Sequence, residues 1–174
     1  ETMKGPRMGS KQHFVAKMEE QGILNRQLEF LPEDDQLTER RTRGEGLTRP
    51  ELSILLSYSK IVVYQQLLAS DLHEDAYLSR ELIRYFPLPL QKRFASTMEE
   101  HRLRREIIAT QVTNSMVNRM GVSFSLRMQE DTHATPAGVA KAFTIAREIF
   151  NAREFWAEVD SLDNKVPAHE QTQA

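Results

Sequence analysis

The hydrophobic pattern is clearest in the stretch HRLRREIIATQVTNSMVNRMG, residues 101–121. It contains no proline, and no glycine before Gly121, a residue type that commonly ends helices. About 20 residues of helix extend for about 30 Å, which is the diameter of a small domain. We therefore predict a central helix over about 101–120, with the other elements packed around it. Its apolar residues recur at spacings of three and four, as on an amphipathic helix: Leu103, Ile107, Ile108, Val112, Met116, Val117 and Met120.

Uncharged amides form a second pattern on this helix. Gln111, Asn114 and Asn118 are spaced i, i+3 and i+7, so they share one face, and Arg119 follows directly. Solvated helix faces usually carry charged residues, and a buried amide without a hydrogen-bond partner costs about 1–3 kcal/mol. The pattern favours structural pairing with neighbouring elements, and contact with a ligand or another subunit is the alternative. These four residues are the candidate polar seam or interface of the chain.

The segment LTRPEL, residues 47–52, predicts the start of a second long helix. Thr48 is an N-cap with Glu51 three residues later, which is the pattern of a capping box, and Leu47 and Leu52 can form a hydrophobic staple around it. We expect this helix to run to about Ser70 and to pack against the central helix. Its apolar residues cover more than one stripe: Leu52, Leu55, Leu56, Tyr58, Ile61, Val62, Val63, Leu67 and Leu68.

Shorter patterns predict further helices on both sides of these two. Near the beginning, an amphipathic helix from Lys11 ends at Gly22, one or two helical turns follow over residues 25–31, and a polar helix anchored by Leu37 ends at Gly44. Later in the chain, the patterns predict helices over residues 77–86, from Pro89 towards the central helix, over about 135–150 and over about 152–163.

The segment VSFSLRMQEDTHA, residues 122–134, alternates apolar and polar positions, which is formally a strand pattern. Because no second strand is predicted with which it could pair, we interpret it as helical or extended. The predicted fold class is therefore all-α, an irregular bundle of about seven to nine helices. We expect a linker or an expression remnant at residues 1–10, a single helical domain over 11–166 and a disordered tail at 167–174.

Composition limits the class of protein. The 174 residues are 40% hydrophobic and 28% charged, which is sufficient for one hydrophobic core. A net charge of −2 gives no overall basic field that would attract nucleic acid. The chain shows neither an apolar run long enough to cross a membrane nor a signal peptide, so we expect a cytoplasmic protein. Because the chain begins at Glu1 rather than at a methionine, we expect a fragment of a longer polypeptide.

Residue types that carry catalysis or bind metals are sparse. Cys is absent, the glycines are too scattered for a phosphate-binding loop, and no His has a second ligand at i+3 or i+4. Asp71, Glu74 and Asp75 cluster in a predicted turn, where carboxylates usually cap or face solvent. Two arginine clusters, residues 40–43 and 102–105, are offset by nearby acids. We therefore predict no catalytic residue, no cofactor-binding residue and no metal site in this chain.

Five segments resemble a known family: NRQLEFLP (25–32), GLTRPELSILLSYSKIVVYQQLLASDL (46–72), RELIRYFPLPLQKRF (80–94), HRLRREIIATQVTNSMVNRMG (101–121) and AREFWAEVDSLDNKVP (152–167). They are similar to the C-terminal region of the large bacterial NAD-specific glutamate dehydrogenases. The resemblance implies a parent enzyme that converts L-glutamate to 2-oxoglutarate and ammonia with NAD. It also implies that the dinucleotide-binding domain and the catalytic lysines lie upstream, outside this chain.

Three hypotheses follow for the chain itself. In the first, it is a structural or regulatory domain without activity of its own, which docks on the catalytic core of the same chain or on a neighbouring subunit of a homo-oligomer. This hypothesis predicts exposed apolar surface. In the second, it is a free-standing regulatory or nucleic-acid-binding helical module, which requires a continuous arginine face. In the third, it is a small enzyme with its site on the amide seam, which requires a pocket with a titratable group.

Overall fold

Helices are the only regular secondary structure of the described residues. The computed structural model describes residues 7–167 and Glu170, and within them no strand occurs. This confirms the predicted all-α fold, and the strand-like segment after Gly121 is a helix. In chain order the helices are α1 (Arg7–Glu20), α2 (Asp34–Thr42), α3 (Arg49–Leu68), α4 (Arg80–Tyr85), α5 (Leu88–Glu99), α6 (Arg104–Met120), α7 (Phe124–Thr132), α8 (Pro136–Ile149) and α9 (Ala152–Asp160), with a 3-10 turn at Leu72–Glu74 between α3 and α4.

The chain divides into two compact units, Glu1–Ala140 and Lys141–Ala174. The boundary between the units falls inside α8, and the single domain predicted over residues 11–166 stays a prediction. The first unit contains α1 to α7 and the beginning of α8, and the second contains the rest of α8 and α9. An amphipathic pattern shows that a helix has an apolar face but not which surface covers that face. The division was therefore not evident from the sequence.

Helix α6 is the centre of the first unit. It packs against α3, α4, the 3-10 turn and α7, which confirms the predicted central helix. The helix starts at Arg104 rather than at residue 101, and Gly121 ends it with a positive φ of 86°. A φ in this region is rarely adopted by residues that carry a Cβ atom, which explains the glycine. The residues that α6 buries are Ile108, Ala109, Val112, Thr113, Met116 and Val117.

Two hydrogen bonds link α3 to α6 and to the segment that follows α6. The Arg105 guanidinium donates to the Leu68 carbonyl oxygen at 2.9 Å, and the Ser59 hydroxyl donates to the Val122 carbonyl oxygen at 2.8 Å. Leu68 is the last residue of α3, so Arg105 satisfies one of the carbonyls that a helix end leaves without a partner. Because the end of α3 meets the start of α6, the two helices are antiparallel.

The predicted capping box at the start of α3 is confirmed. The Glu51 carboxylate accepts a hydrogen bond from the Thr48 backbone N–H at 2.6 Å, and the Thr48 hydroxyl accepts one from the Glu51 N–H at 3.5 Å. Glu51 is buried, and both of its carboxylate oxygens lie 2.9 Å from an Arg40 nitrogen at the end of α2. The same carboxylate therefore caps α3 and joins it to α2. The sequence predicted only the first of these roles.

Several predicted boundaries differ from the structure. Helix α1 begins at Arg7, inside the segment expected to be a linker, and residues 1–6 lie outside the described part of the chain. Helix α4 is shorter than predicted, because the Asp75 carboxylate accepts hydrogen bonds from the Tyr77 and Leu78 N–H groups and holds that segment in a turn. Helix α5 ends before α6 and is interrupted at Phe94. The predicted tail, 167–174, lies outside the described residues apart from Pro167 and Glu170.

Not all of the residues that were expected to be buried are buried in the structure. On α3, Leu55, Val62, Val63 and Leu67 are buried as predicted, whereas Ile61 is exposed. Leu52, Leu56 and Tyr58 are partly buried against the core cluster of the first unit. The predicted anchor of α2, Leu37, is buried, and Gly44 follows that helix with a φ of 73°.

The segment over residues 25–31 forms one helical turn, which a buried arginine holds in place. The Arg26 guanidinium donates to both carboxylate oxygens of Glu19 at 3.2 and 2.8 Å, to the Pro32 carbonyl oxygen at 3.2 Å and to Asp34 at 3.0 Å. Burial of Arg26 disfavours its charge, but the hydrogen bonds to Glu19 and Asp34 outweigh this effect and raise the pKa of Arg26. The turn is thereby fixed to α1 and to the start of α2.

A tyrosine fixes the same turn to α3. The Tyr58 hydroxyl donates a hydrogen bond to the Glu29 carboxylate at 2.6 Å. This hydrogen bond, together with desolvation and the negative charge of Glu29, raises the pKa of Tyr58. The folded state therefore binds the phenolic proton more tightly than the unfolded state does. The resulting stabilisation is present below the ordinary tyrosine pKa of about 10 and is lost as the pH rises through the higher pKa of the folded state.

Replacement of Thr48 tests the cap of α3. Thr48→Ala removes the side-chain acceptor, and we expect it to lower the free energy of unfolding by about 1 kcal/mol. Urea denaturation followed by circular dichroism measures the change. Thr48→Ser retains a hydroxyl and is the matched control, so an equal loss in both variants would contradict the role of the cap.

Replacement of Tyr58 tests the link from the turn to α3. Tyr58→Phe should cost roughly 1 kcal/mol near neutral pH. It should also reduce the loss of stability that accompanies tyrosine ionisation above a pH of about 10. Urea denaturation across this pH range measures both effects. Tyr64→Phe is the control, since the Tyr64 hydroxyl makes no hydrogen bond within the described residues; the same alkaline behaviour in both variants would argue against the Tyr58–Glu29 bond.

Candidate functional site

The four residues of the predicted polar seam do not form one site. Gln111 and Asn114 are partly buried, whereas Asn118 and Arg119 are exposed. Asn118 and Arg119 line a cleft of about 780 Å³, and Asn114 lines a separate concavity of about 250 Å³. Gln111 lines neither of them. The C-terminal end of this face of α6 lines the larger cleft, whose volume is in the range of ligand-binding sites.

The cleft lies where the ends of four helical segments meet. Its walls come from the start of α1, the first two turns of α3, the end of α6 and the connection into α7. Two local features place these ends together. The capping box at Thr48 starts α3 beside the cleft, and the positive φ of Gly121 turns the chain from α6 towards α7. The lining residues are Ser10, Lys11, Arg49, Leu52, Ser53, Leu56, Val117, Asn118, Arg119, Met120, Gly121, Val122, Ser123 and Arg127.

The charged residues that line the cleft are all cationic. Lys11, Arg49, Arg119 and Arg127 each come from a different helix, and no residue of this described lining is acidic. Three of them, Lys11, Arg49 and Arg119, also interact with other groups of the chain. Guanidinium groups present several N–H donors in a plane and match the oxygens of carboxylates and phosphates. The arrangement therefore favours binding of an anion in a protein whose net charge is negative.

The cleft is lined by lysine, arginine, serine, asparagine, glycine and apolar residues. Its described lining contains neither a histidine nor a carboxylate, which are the usual general acids and bases. An arginine cannot take this role, because its guanidinium does not lose a proton in proteins. The third hypothesis required a pocket with a suitable titratable group on the amide seam. The structure places a cleft beside Asn118 and Arg119, and its lining includes one lysine, Lys11.

The smaller concavity lies between α3 and α6. Lys60, Ile61, Tyr64, Thr110, Thr113 and Asn114 line it. Thr113 is buried, and its hydroxyl oxygen makes no hydrogen bond within the described residues. The side chains of Gln111, Asn114 and Asn118 likewise make none there. Pairing of the amides with neighbouring elements is thus not seen in the described part of the chain, and their contact with a ligand or subunit stays a prediction.

The described residues include no group of three or more His, Cys, Asp or Glu side chains that could hold a metal ion. His13 lies 2.8 Å from the Glu130 carboxylate and joins α1 to α7, so it has a structural partner. No helix in the described part of the chain is both long and apolar enough to span a membrane.

Sequence analysis missed three of the four cationic residues in the cleft. Lys11, Arg49 and Arg127 come from segments far apart in the chain, and no spacing rule relates them to Arg119. The available signal was indirect. Arg49 lies within the capping box and Arg119 lies two residues before the glycine that ends α6, so two strong helix boundaries each carry a cation.

Titration with sulfate tests the electrostatics of the cleft. We expect sulfate to raise the thermal midpoint of the 174-residue chain more than sodium chloride of equal ionic strength does, because a bound anion stabilises the folded state. Arg119→Gln should weaken this sulfate effect several-fold. Arg41→Gln, on the exposed surface of α2, is the matched control. Equal sulfate responses in both variants would exclude the cleft as the place where the anion binds.

Comparison with known proteins identifies the family. Residues 44–174 match the family model described as "Glutamate dehydrogenase, C-terminal". An NAD-specific glutamate dehydrogenase of Halomonas elongata is 44% identical over 164 residues, and one of Pseudomonas aeruginosa is 43% identical over 162 residues. These matches cover 94% and 93% of the chain. A third relative with the same name, from Mycobacterium tuberculosis, is 34% identical over 140 residues, or 80% of the chain.

The relatives are far longer than the part that they share with this chain. The matched residues amount to 10% of the Halomonas elongata and Pseudomonas aeruginosa proteins and to 9% of the Mycobacterium tuberculosis protein. The chain thus spans about a tenth of the length of the curated relatives that it matches.

Proposed function

Because the chain belongs to the family of glutamate dehydrogenase C-terminal regions, we propose that it is the C-terminal helical part of an NAD-dependent glutamate dehydrogenase. In this proposal, the parent enzyme oxidises L-glutamate to 2-oxoglutarate and ammonia and transfers the hydride to NAD. The chain contributes no catalytic group. Its role is to dock on the rest of the enzyme, either on the catalytic core of the same polypeptide or on a neighbouring subunit of a homo-oligomer, in the cytoplasm.

The described residues support the proposal that the NAD-binding and catalytic residues lie outside this chain. A nicotinamide dinucleotide is usually bound by a strand, a glycine-rich turn and a helix. The described part contains no strand, and apart from Gly44 and Gly46 its glycines are far apart in the sequence. The names of the relatives refer to proteins about ten times as long as the matched segment, which leaves room for such a unit elsewhere.

The observation that carries the docking proposal is the exposure of large apolar side chains. In the first unit, α5 buries only Met98 among its described residues, and Leu88 at its start is 76% exposed. In the second unit, α9 contains no buried residue although it is strongly amphipathic, and Phe150 just before it is 79% exposed. Soluble monomers rarely leave large contiguous apolar patches in water, so apolar faces of this kind mark sites of interaction.

A nucleic-acid-binding module is less well supported. That hypothesis requires a continuous arginine face, yet the arginines of the two clusters make other bonds. Arg40 contacts Glu51, and Arg43 contacts Glu39 and Glu45. Arg104 and Arg105 donate to backbone carbonyl oxygens. Most arginines of the two clusters therefore already form ion pairs or hydrogen bonds within the chain.

Removal and re-addition of the segment test the proposed function. We expect full-length enzyme to reduce NAD when glutamate is present and the enzyme lacking the segment that corresponds to this chain to lose most of that rate. Adding the 174-residue chain in trans should restore part of the rate, because docking is non-covalent. NADH absorbance measures the rate, and light scattering measures the assembly.

The decisive result is whether the shortened enzyme keeps the rate and the assembly of the full-length enzyme. If the shortened enzyme keeps both, the segment is not a docked part of the enzyme, and the proposal is wrong. A full-length protein without glutamate-dependent NAD reduction would contradict the proposed activity itself.

A further inference from the structure

Two helices of the first unit end in the same way. After α1, the Ile23 N–H donates to the Met18 carbonyl oxygen at 2.9 Å, and the Gly22 N–H donates to the Glu19 carbonyl oxygen at 2.9 Å. After α2, the corresponding distances are 2.8 and 3.0 Å, with Gly44 in the equivalent position. This pair of hydrogen bonds defines the Schellman motif, in which one residue has a left-handed conformation and is usually glycine. Gly22 and Gly44 have φ angles of 66° and 73°.

The turn over residues 25–31 ends with the same motif but without a glycine. The Leu31 N–H donates to the Arg26 carbonyl oxygen at 3.0 Å, and the Phe30 N–H donates to the Gln27 carbonyl oxygen at 3.3 Å. The left-handed residue is Phe30, with a φ of 53°. A Cβ atom makes this conformation unfavourable, and a bulky side chain is rare there. The chain thus has phenylalanine in a position where its own two other motifs have glycine.

Burial of the phenyl ring does not offset this strain. The Phe30 side chain is 90% exposed, so it contributes almost nothing to the hydrophobic core. Leu28, two residues earlier, is 74% exposed. Strained residues persist where the surrounding structure holds them and are often found at binding sites. Leu28 and Phe30 are both exposed on this turn of the first unit and are together called the apolar knob.

The knob is held firmly in place. Leu24 and Leu31, on either side of it, are buried in the core of the first unit. Within the turn, the buried Arg26 is bonded to α1 and α2, and Glu29 accepts the hydrogen bond from Tyr58 of α3. A side chain presented by a fixed backbone loses less conformational entropy on binding than one on a flexible loop. The geometry is that of a preorganised aromatic anchor.

We infer that Phe30, together with Leu28, inserts into an apolar pocket on the catalytic part of the same enzyme. The inference rests on the proposed function, because it names the residues through which the docking takes place. About nine tenths of the length of the relatives lies outside the matched segment, and that part is covalently joined to it. Covalent attachment gives a millimolar effective concentration. The rest of the same polypeptide is therefore the partner that meets the knob most readily.

Because Phe30 is strained, replacing it should have opposite effects on the stability of the 174-residue chain and on that of the full-length enzyme. In the 174-residue chain, Phe30→Gly relieves the strain, so the urea midpoint should rise. In the full-length enzyme, the same substitution removes an anchor, so the thermal midpoint should fall. In the trans assay, the variant chain should bind the shortened enzyme about tenfold or more weakly than the wild-type chain. Phe30→Leu keeps an apolar side chain and should retain most of the binding.

Gln27→Ala is the matched control, since Gln27 is an exposed residue of the same turn and its side chain is polar. It should leave both midpoints and the binding unchanged. If Phe30→Gly raises the midpoint in both contexts and binds as tightly as wild type, Phe30 is not a docking residue, although the docking of the chain would stand.

Two other outcomes also overturn the inference. If the wild-type chain does not bind the shortened enzyme at all, the proposed function fails together with it. If the isolated chain self-associates and Phe30→Gly abolishes that association in light scattering, the knob contacts a second copy and not the catalytic part.

Discussion

The antiparallel contact between α3 and α6 supports every other feature of the first unit. Both helices bury apolar residues, among them Val63 and Leu67 on α3 and Ile108 and Met116 on α6. Apolar contacts alone have little directional preference, so the two helices could slide along each other. Two hydrogen bonds fix their position, because each joins a side chain to a particular carbonyl oxygen. The cleft at the end of α6 and the concavity beside Thr113 both result from this fixed position.

Three helix boundaries were predictable because their signals are local. The capping box at Thr48, the termination at Gly44 and the termination at Gly121 each depend on a few neighbouring residues, and all three occur in the structure. The turn that ends at Phe30 was not predicted in this form, because a phenylalanine carries no signal for a left-handed conformation. The cleft was not predicted either. Its four cations come from four helices, and only the packing of those helices brings them together.

The arginines show why nearby charge is a poor guide to partners. The sequence suggested that Arg40 is balanced by the acids at residues 33–35, which lie on the same short helix. In the structure Arg40 contacts Glu51, eleven residues later, while Asp34 contacts Arg26. Arg105 donates to the Leu68 carbonyl oxygen, although acidic residues lie nearby in the sequence. Long side chains with several donors bond to whatever acceptors the packing brings near them.

The double role of Glu51 has a consequence for local unfolding. Helix α2 is only nine residues long and buries a single side chain, so it has little stability of its own. Its last turn is nevertheless bonded, through Arg40, to the carboxylate that caps α3. Fraying of α2 would leave the buried Glu51 carboxylate without its cationic partner, at the start of the helix on which the core depends. The two helices therefore form one cooperative unit, in which the weaker helix opens only as the stronger one loosens.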